Sequence, residues 1–183
     1  SEIIIFGEND YPFLMDNNSI ETLQKNIKEK QVIIIGSTRK ENEKYFNSFF
    51  LIDKYNYQIF DKKILVPFGE FIPFRYLFKF MEFIVGSVDY SIGKKSRLLT
   101  INQNIKILPV ICYEIIYFWK LFNNENQDSQ IIINLTNDSW FGTFSGPYQH
   151  FYFTKLRAAE FNKPLLRVSS NGVSAIINNN GKI

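Results

Sequence analysis

The stretch PVICYEII, residues 109–116, carries the only cysteine of the chain at the end of an apolar run and two positions before a carboxylate. The run that leads into it, IKILPVI (105–111), is rich in branched apolar residues and predicts a buried strand. The residues that follow, YEIIYFWKLF (113–122), place Ile115, Ile116, Trp119 and Phe122 at helical spacing. Cys112 therefore falls on a strand-to-helix turn. Backbone N–H groups at a helix start favour a thiolate and also suit an oxyanion. A lone cysteine taken by itself reads as a small, inert core residue, so its meaning depends on what surrounds it.

Outward from this turn, runs of Ile, Val, Leu and Phe recur at 3–6, 31–36, 49–52, 107–112, 131–135 and 165–169, with an alternating run near 173–177. Between them lie helix patterns. Ile20, Leu23 and Ile27 repeat at helical spacing behind Asn18 or Ser19 as a cap. A second helix is predicted from about Tyr148 to Phe161, ended by Pro164. Strands near 49–61 flank Lys54–Asn56 as a hairpin. Helices alternating with strands predict an α/β class in which helices cover a mixed sheet.

A chain of 183 residues is long enough for one domain with its own core. Its 21 basic and 18 acidic residues leave a net charge of +3, scattered rather than gathered into an arm, so nucleic acid is not an expected partner. One cysteine and one histidine give no zinc spacing, and neither a metal nor a cofactor is expected. The most apolar window, FIPFRYLFKFMEFIVG (71–86), is interrupted by Arg75, Lys79 and Glu82 and falls short of a membrane span. No signal peptide is expected. The first and last residues read as strands entered or left abruptly, and a fragment of something longer is expected.

Other segments hold residues that packing alone explains poorly. Glu8 closes the first strand in IIIFGENDYP, where Gly7 and Pro12 mark a turn; by position alone it reads as a solvated strand end. In FDKKILVPFGEFIP (60–73), Lys62 precedes a short apolar run, and Glu70 stands among Phe68, Phe71 and Pro73, where a surface would not place a charge. A lysine pair before a strand is by itself a wet edge. NLTNDSWFGTFSGPYQH (134–150) is a strand running into a polar and aromatic loop, the usual place for a site in α/β proteins. Trp140, Phe141 and His150 read there equally as loop anchors, and nothing in the sequence pairs His150 with Cys112.

A carboxylate, a lysine and a cysteine in that order, each at a strand end, is the arrangement of the nitrilase, or carbon-nitrogen hydrolase, superfamily, and the chain resembles it. The runs KKILVPFGEFIPF, VICYEIIY, NDSWFGTFSGPYQH and RAAEFNKPLLRVSSNGVSAII are more specifically similar to the signature blocks of the bacterial apolipoprotein N-acyltransferases. The resemblance extends over essentially the whole chain. It implies an α-β-β-α sandwich, truncated at both ends, as one nitrilase-like domain over 1–183. It implies Glu8 as general base, Lys62 as electrostatic partner and Cys112 as nucleophile. Glu70 and Glu114 match supporting acidic positions, and Tyr113 an aromatic beside the nucleophile. One departure is visible: the family usually has Trp-Pro before the first glutamate, where Phe6 and Gly7 stand here.

The activity implied is transfer of a fatty acyl group from a phospholipid, through a cysteine thioester, to the N-terminal amine of a diacylglyceryl-cysteine lipoprotein. The location implied is the bacterial inner membrane, with the domain facing the periplasm. With lipid substrates, the aromatic stretch at 71–86 suits an amphipathic arm at a membrane surface, with Phe74, Phe78 and Trp140 as substrate-binding candidates; an ordinary core helix fits the same pattern. Two other readings stay open: a nitrilase-type amidase that delivers water to the thioester, and a silent fragment that only binds lipid or a partner.

Overall fold

The computed structural model describes residues 2–74, 76–77, 88–102, 104–142 and 144–183. Its strands form a four-stranded sheet, in the order β1 (Ile3–Ile5), β2 (Val32–Glu41), β3 (Lys44–Asp53) and β4 (Tyr57–Asp61). A five-stranded sheet runs in the order β5 (Leu99–Ile101), β6 (Ile105–Ile111), β7 (Ile131–Thr136), β8 (Leu165–Ser169) and β9 (Ala175–Ile177). Both sheets are mixed: β1 is parallel to β2 and β6–β7–β8 are parallel, while the remaining pairs are antiparallel. This is the expected α-β-β-α sandwich.

Alternation along the strands sorts side chains between layers. Ile34, Phe49, Leu51 and Phe60 of one sheet meet Ile107, Ile111, Ile133 and Leu135 of the other in the central core. Ile35, Phe50 and Ile52 point the opposite way, onto Ile20 and the C-cap Ile27 of helix α1 (Asn17–Asn26). Leu108, Val110 and Ile132 of the second sheet pack on Ala158 of the long helix at Ser145–Glu160. Each fully buried Ile or Phe here is worth about 1.5–3 kcal/mol relative to exposure.

Three sequence expectations change. The cap of α1 is Asp16, whose carboxylate accepts from Ser19 N–H at 2.8 Å. The helix expected over 113–122 is instead a 3-10 turn, Cys112–Ile116, followed by a short helix α2 (Phe118–Leu121); the helix at Ser145–Glu160 is thus α3. The second and third apolar runs extend into a long hairpin whose turn, Asn42 (φ 48°) and Glu43 (φ 63°), has the left-handed backbone that tight hairpins require.

The topology determines where the site lies. Since β4 and β2 both run antiparallel to β3 and β1 is parallel to β2, the chain leaves β1 and β4 at the same end of the first sheet, delivering Glu8 and Lys62 there. The parallel strands β6 and β7 of the facing sheet lead directly into Cys112 and Asn137.

Candidate active site

The link between the two halves of the site is Glu114. Fully buried, it forms a two-pronged ion pair with Arg97 (2.7 and 2.8 Å), and Arg97 also donates to the carbonyl of Pro109 and covers the ring of Phe60. The remaining capacity of the carboxylate is filled by the backbone N–H groups of Lys63 (2.8 Å), Ile64 (3.2 Å) and Ile111 (3.0 Å). The residue before Cys112 and the residues after Lys62 are thus tied to one carboxylate. Burial pushes the Glu114 carboxyl upward, but the Arg97 charge and these hydrogen bonds outweigh it and hold it below the usual carboxylate value.

Lys62 is buried to 1 % exposure, which demands partners. Its ammonium donates to Glu8 Oε1 at 3.2 Å and to Glu70 Oε1 at 3.0 Å. Asn47, from β3, donates to the same two oxygens at 2.8 and 2.7 Å. Two carboxylates are therefore held side by side by one cation and one amide. Burial would strip the proton from Lys62, but the Glu8 and Glu70 charges dominate and raise its pKa, so it stays an ammonium. Glu70 also accepts Val66 N–H at 2.9 Å, which folds the Val66–Glu70 bend over the lysine.

Glu8 reaches this point because β2 passes it closely. A Cβ on Gly36 would stand 2.7 Å from Glu8 Cα, so only glycine fits. At Gly7, where this chain departs from the family pattern, a Cβ would stand 2.8 Å from the Ser170 backbone nitrogen and closer still to its hydroxyl, so a larger side chain there has no room. The second oxygen of Glu8 accepts Asn137 N–H at 3.0 Å.

Cys112 has φ 48°, a left-handed conformation unusual for a residue with a side chain. Its thiol is not the pre-formed thiolate that a helix start suggests. Burial first, then the Glu8 charge, pushes the pKa up to about 12. Lys62, the Thr136 hydroxyl and Asn137 N–H act in the opposite direction without prevailing. Asn137 N–H thus touches both Glu8 and the sulfur, placing carboxylate and thiol side by side.

Glu8, Asn47, Lys62, Glu70, Tyr90, Cys112 and Asn137 line one cavity of about 290 Å³. Its wall and rim are apolar, from Val66 to Phe68 and from Tyr113, Trp140 and Phe141, with Trp140 72 % exposed. Tyr113 also packs edge-on against Tyr117. Of the remaining substrate-binding candidates, Phe74 is exposed and outside the cavity lining, while Phe78 lies outside the described residues. Most of the 71–86 arm also lies outside them.

The structure pairs His150 with the cysteine turn: Nε2 lies 3.2 Å from the Cys112 carbonyl oxygen, and Nδ1 lies 2.8 Å from Asp138 Oδ1. Asn47, Arg97 and the buried Asp138–Arg167 pair are further parts that sequence reasoning did not find. Asn47 sits in a polar stretch ahead of an apolar run, and Arg97 in a polar loop resembling many surface segments. Asp138 carried a signal, as an acid directly after a strand end.

Comparison with known proteins shows the family. A family model described as carbon-nitrogen hydrolase matches residues 2–183. A protein of Rickettsia typhi named apolipoprotein N-acyltransferase is 39 % identical over 153 residues, 81 % of this chain and 31 % of that protein. A protein of the same name from Allorhizobium ampelinum is 34 % identical over 197 residues, 100 % of this chain and 37 % of its own length. The chain thus spans about a third of these curated relatives. Among solved structures, the CN-hydrolase superfamily protein XC1258 of Xanthomonas campestris aligns with TM-score 0.66 at 18 % identity, covering all of this chain and 72 % of that one. Glutamine-dependent NAD+ synthetase of Acinetobacter baumannii aligns with TM-score 0.73 at 17 % identity, over all of this chain and 36 % of that one. At these identities the likeness concerns the fold.

Proposed function

The chain belongs to the carbon-nitrogen hydrolase family, and from that premise we propose that it is the catalytic domain of an acyltransferase working through a Cys112 thioester. The donor in this reading is a phospholipid, and the acceptor is the N-terminal amine of a diacylglyceryl-cysteine lipoprotein. The observation that carries it is the buried Lys62 ammonium, clamped between Glu8 and Glu70 in the cavity that also holds the Cys112 thiol. The names of the relatives and the aromatic rim around Trp140 favour a lipid substrate.

A thiol with a pKa near 12 is almost wholly protonated at neutral pH. Ionisation must therefore accompany attack, and Glu8 beside the sulfur is the base. As Sγ bonds to the ester carbonyl carbon, Glu8 takes the thiol proton and the carbonyl oxygen becomes an oxyanion. Lys62 and the Tyr113 N–H are its donors in this reading, each worth roughly 3 kcal/mol. Collapse breaks the C–O bond, Glu8 returns the proton to the departing lysophospholipid oxygen, and the acyl group remains on sulfur.

The amine then attacks the thioester. Glu8 accepts the amine proton, the C–S bond breaks, and the proton returns to Cys112. The products are an amide and the free thiol. The apolar rim limits water, which would otherwise hydrolyse the thioester. Membrane attachment at the periplasmic side belongs to this reading; among the described residues no helix is long and apolar enough to cross a membrane. The test is to supply phospholipid vesicles and a diacylglyceryl-cysteinyl peptide. Formation of N-acyl peptide, lost in Cys112→Ala, is expected; release of free fatty acid in place of the amide points to an amidase-type hydrolase.

A further inference from the structure

The left-handed backbone at Cys112 needs a cause, because φ 48° strains a residue with a Cβ. The groups that touch the sulfur do not supply it, since they act on the side chain. The backbone carbonyl of Cys112 is held instead by His150, from the middle of the first half of α3.

We propose that His150 is a positioning residue that clamps the Cys112 carbonyl and keeps the nucleophile turn in its left-handed conformation. A carbonyl oxygen only accepts, so Nε2 must carry a hydrogen and donate across the 3.2 Å contact. The ring cannot turn away, because its other edge is fixed. Nδ1 lies 2.8 Å from Asp138 Oδ1, and Asp138 is itself gripped by Arg167 Nη2 at 2.9 and 2.7 Å. Arg167 is anchored in turn on Asn134 and Thr154 at 3.0 and 2.9 Å. The ring face packs on Phe141, centroid to centroid 4.8 Å, and Phe141 also lines the cavity.

His150, Asp138 and Arg167 are all buried, at 2 % exposure or less, and none of the three lines the cavity. They belong to α3, the turn after β7 and β8, so the rigid elements of the second sheet converge on one carbonyl. Asp138 Oδ1 also accepts from the Thr136 hydroxyl at 3.4 Å, and that hydroxyl touches the Cys112 sulfur. The network therefore grips the nucleophile from its backbone side and adjoins it from its side-chain side.

The inference rests on reading Cys112 as the nucleophile, and the test separates the two. His150 is the only histidine, so ring-selective 15N labelling gives one imidazole. In the wild-type chain Nε2 is expected to show its own attached proton and a correlation across the hydrogen bond to the Cys112 carbonyl carbon. An unprotonated Nε2 overturns the clamp whatever the chain's activity. In acylation by a p-nitrophenyl ester, His150→Phe keeps the ring volume but no donor, and is expected to lower the maximal rate about tenfold, the scale of one lost hydrogen bond, with KM unchanged. His150→Gln, which can still donate, is expected to recover most of that loss. Equal defects in both variants, or a full rate in His150→Phe, overturn the proposal. If His150→Phe does not fold, the Gln variant and the wild-type spectrum decide. Absence of any acyl adduct on wild-type Cys112 is a failure of the nucleophile reading and leaves the spectrum to judge the clamp.

Discussion

The Glu114 carboxylate accepts the backbone N–H of Lys63 at 2.8 Å, across 51 residues of chain. With its bonds to Ile111 and Arg97, this contact ties the Lys62 strand end to the Cys112 turn without Glu114 lining the cavity. Glu114 thus acts as a brace between the sheets. Glu70, in contrast, faces Lys62 directly.

Removing the Glu114 charge leaves Arg97 buried without its counter-ion. Glu114→Gln is expected to destabilise the chain by about 3–5 kcal/mol in urea unfolding. Because the folded carboxyl titrates below its ordinary 4.5, its contribution is fully present above that pH and lost as pH falls below it. Stability of the wild type should therefore drop more steeply below pH 4.5 than that of the Gln variant. Parallel acid profiles for the two would show that the brace carries no such load.

Glu8 raises the thiol pKa and in the proposed mechanism is also its base, so its removal separates reactivity from turnover. In Glu8→Gln the sulfur loses a neighbouring negative charge that resists ionisation. Labelling by iodoacetamide at pH 8 is expected to speed up, while acyl transfer falls about 10²–10⁴-fold. In the wild type, labelling should keep rising with pH well past 9. Slower labelling in Glu8→Gln contradicts the assigned electrostatics.

Lys62→Met leaves Glu8 and Glu70 adjacent, with Asn47 as their shared donor. Acyl transfer is expected to fall about 10²–10³-fold, the cost of one oxyanion donor, and the chain to lose stability. Adding Glu70→Gln to Lys62→Met removes one of the two facing charges. The double variant should regain melting temperature without regaining turnover, and recovery of both would assign Lys62 a structural role only.

The strands were legible because branched apolar runs such as 131–135 and 165–169 have no other use in a chain of this size. What the runs concealed was polar strand. Residues 37–47 carry Ser, Thr, Arg, Lys and Glu and extend the β2–β3 hairpin, stabilised by pairing across it rather than by apolar pattern. β5, Leu99–Ile101, is too short for a period to show. Glu8, Lys62 and Cys112 could be named as candidates from strand ends. Asn47 and Arg97 could not, since their importance comes from burial against carboxylates distant in sequence. His150 was visible yet unassigned, because its partner is a backbone carbonyl, which no residue type reveals.

The exposed rim should matter only when the donor is packed in a bilayer. Trp140→Ala removes one large aromatic from the mouth, and a buried Trp is worth on the order of 1–3 kcal/mol. Transfer from phospholipid vesicles is expected to fall about tenfold, with little change toward a short-chain soluble ester. Equal losses on both substrates would place Trp140 in the reaction and not at the lipid surface.

The most direct measurement is intact-protein mass spectrometry after incubation with phospholipid vesicles and no acceptor. A single fatty acyl adduct on Cys112 is predicted, absent from Cys112→Ala and Glu8→Gln, and discharged when a diacylglyceryl-cysteinyl peptide is added. A folded wild-type chain that acquires no adduct, or whose adduct decays at the same rate with and without the amine, contradicts acyl transfer through this thiol.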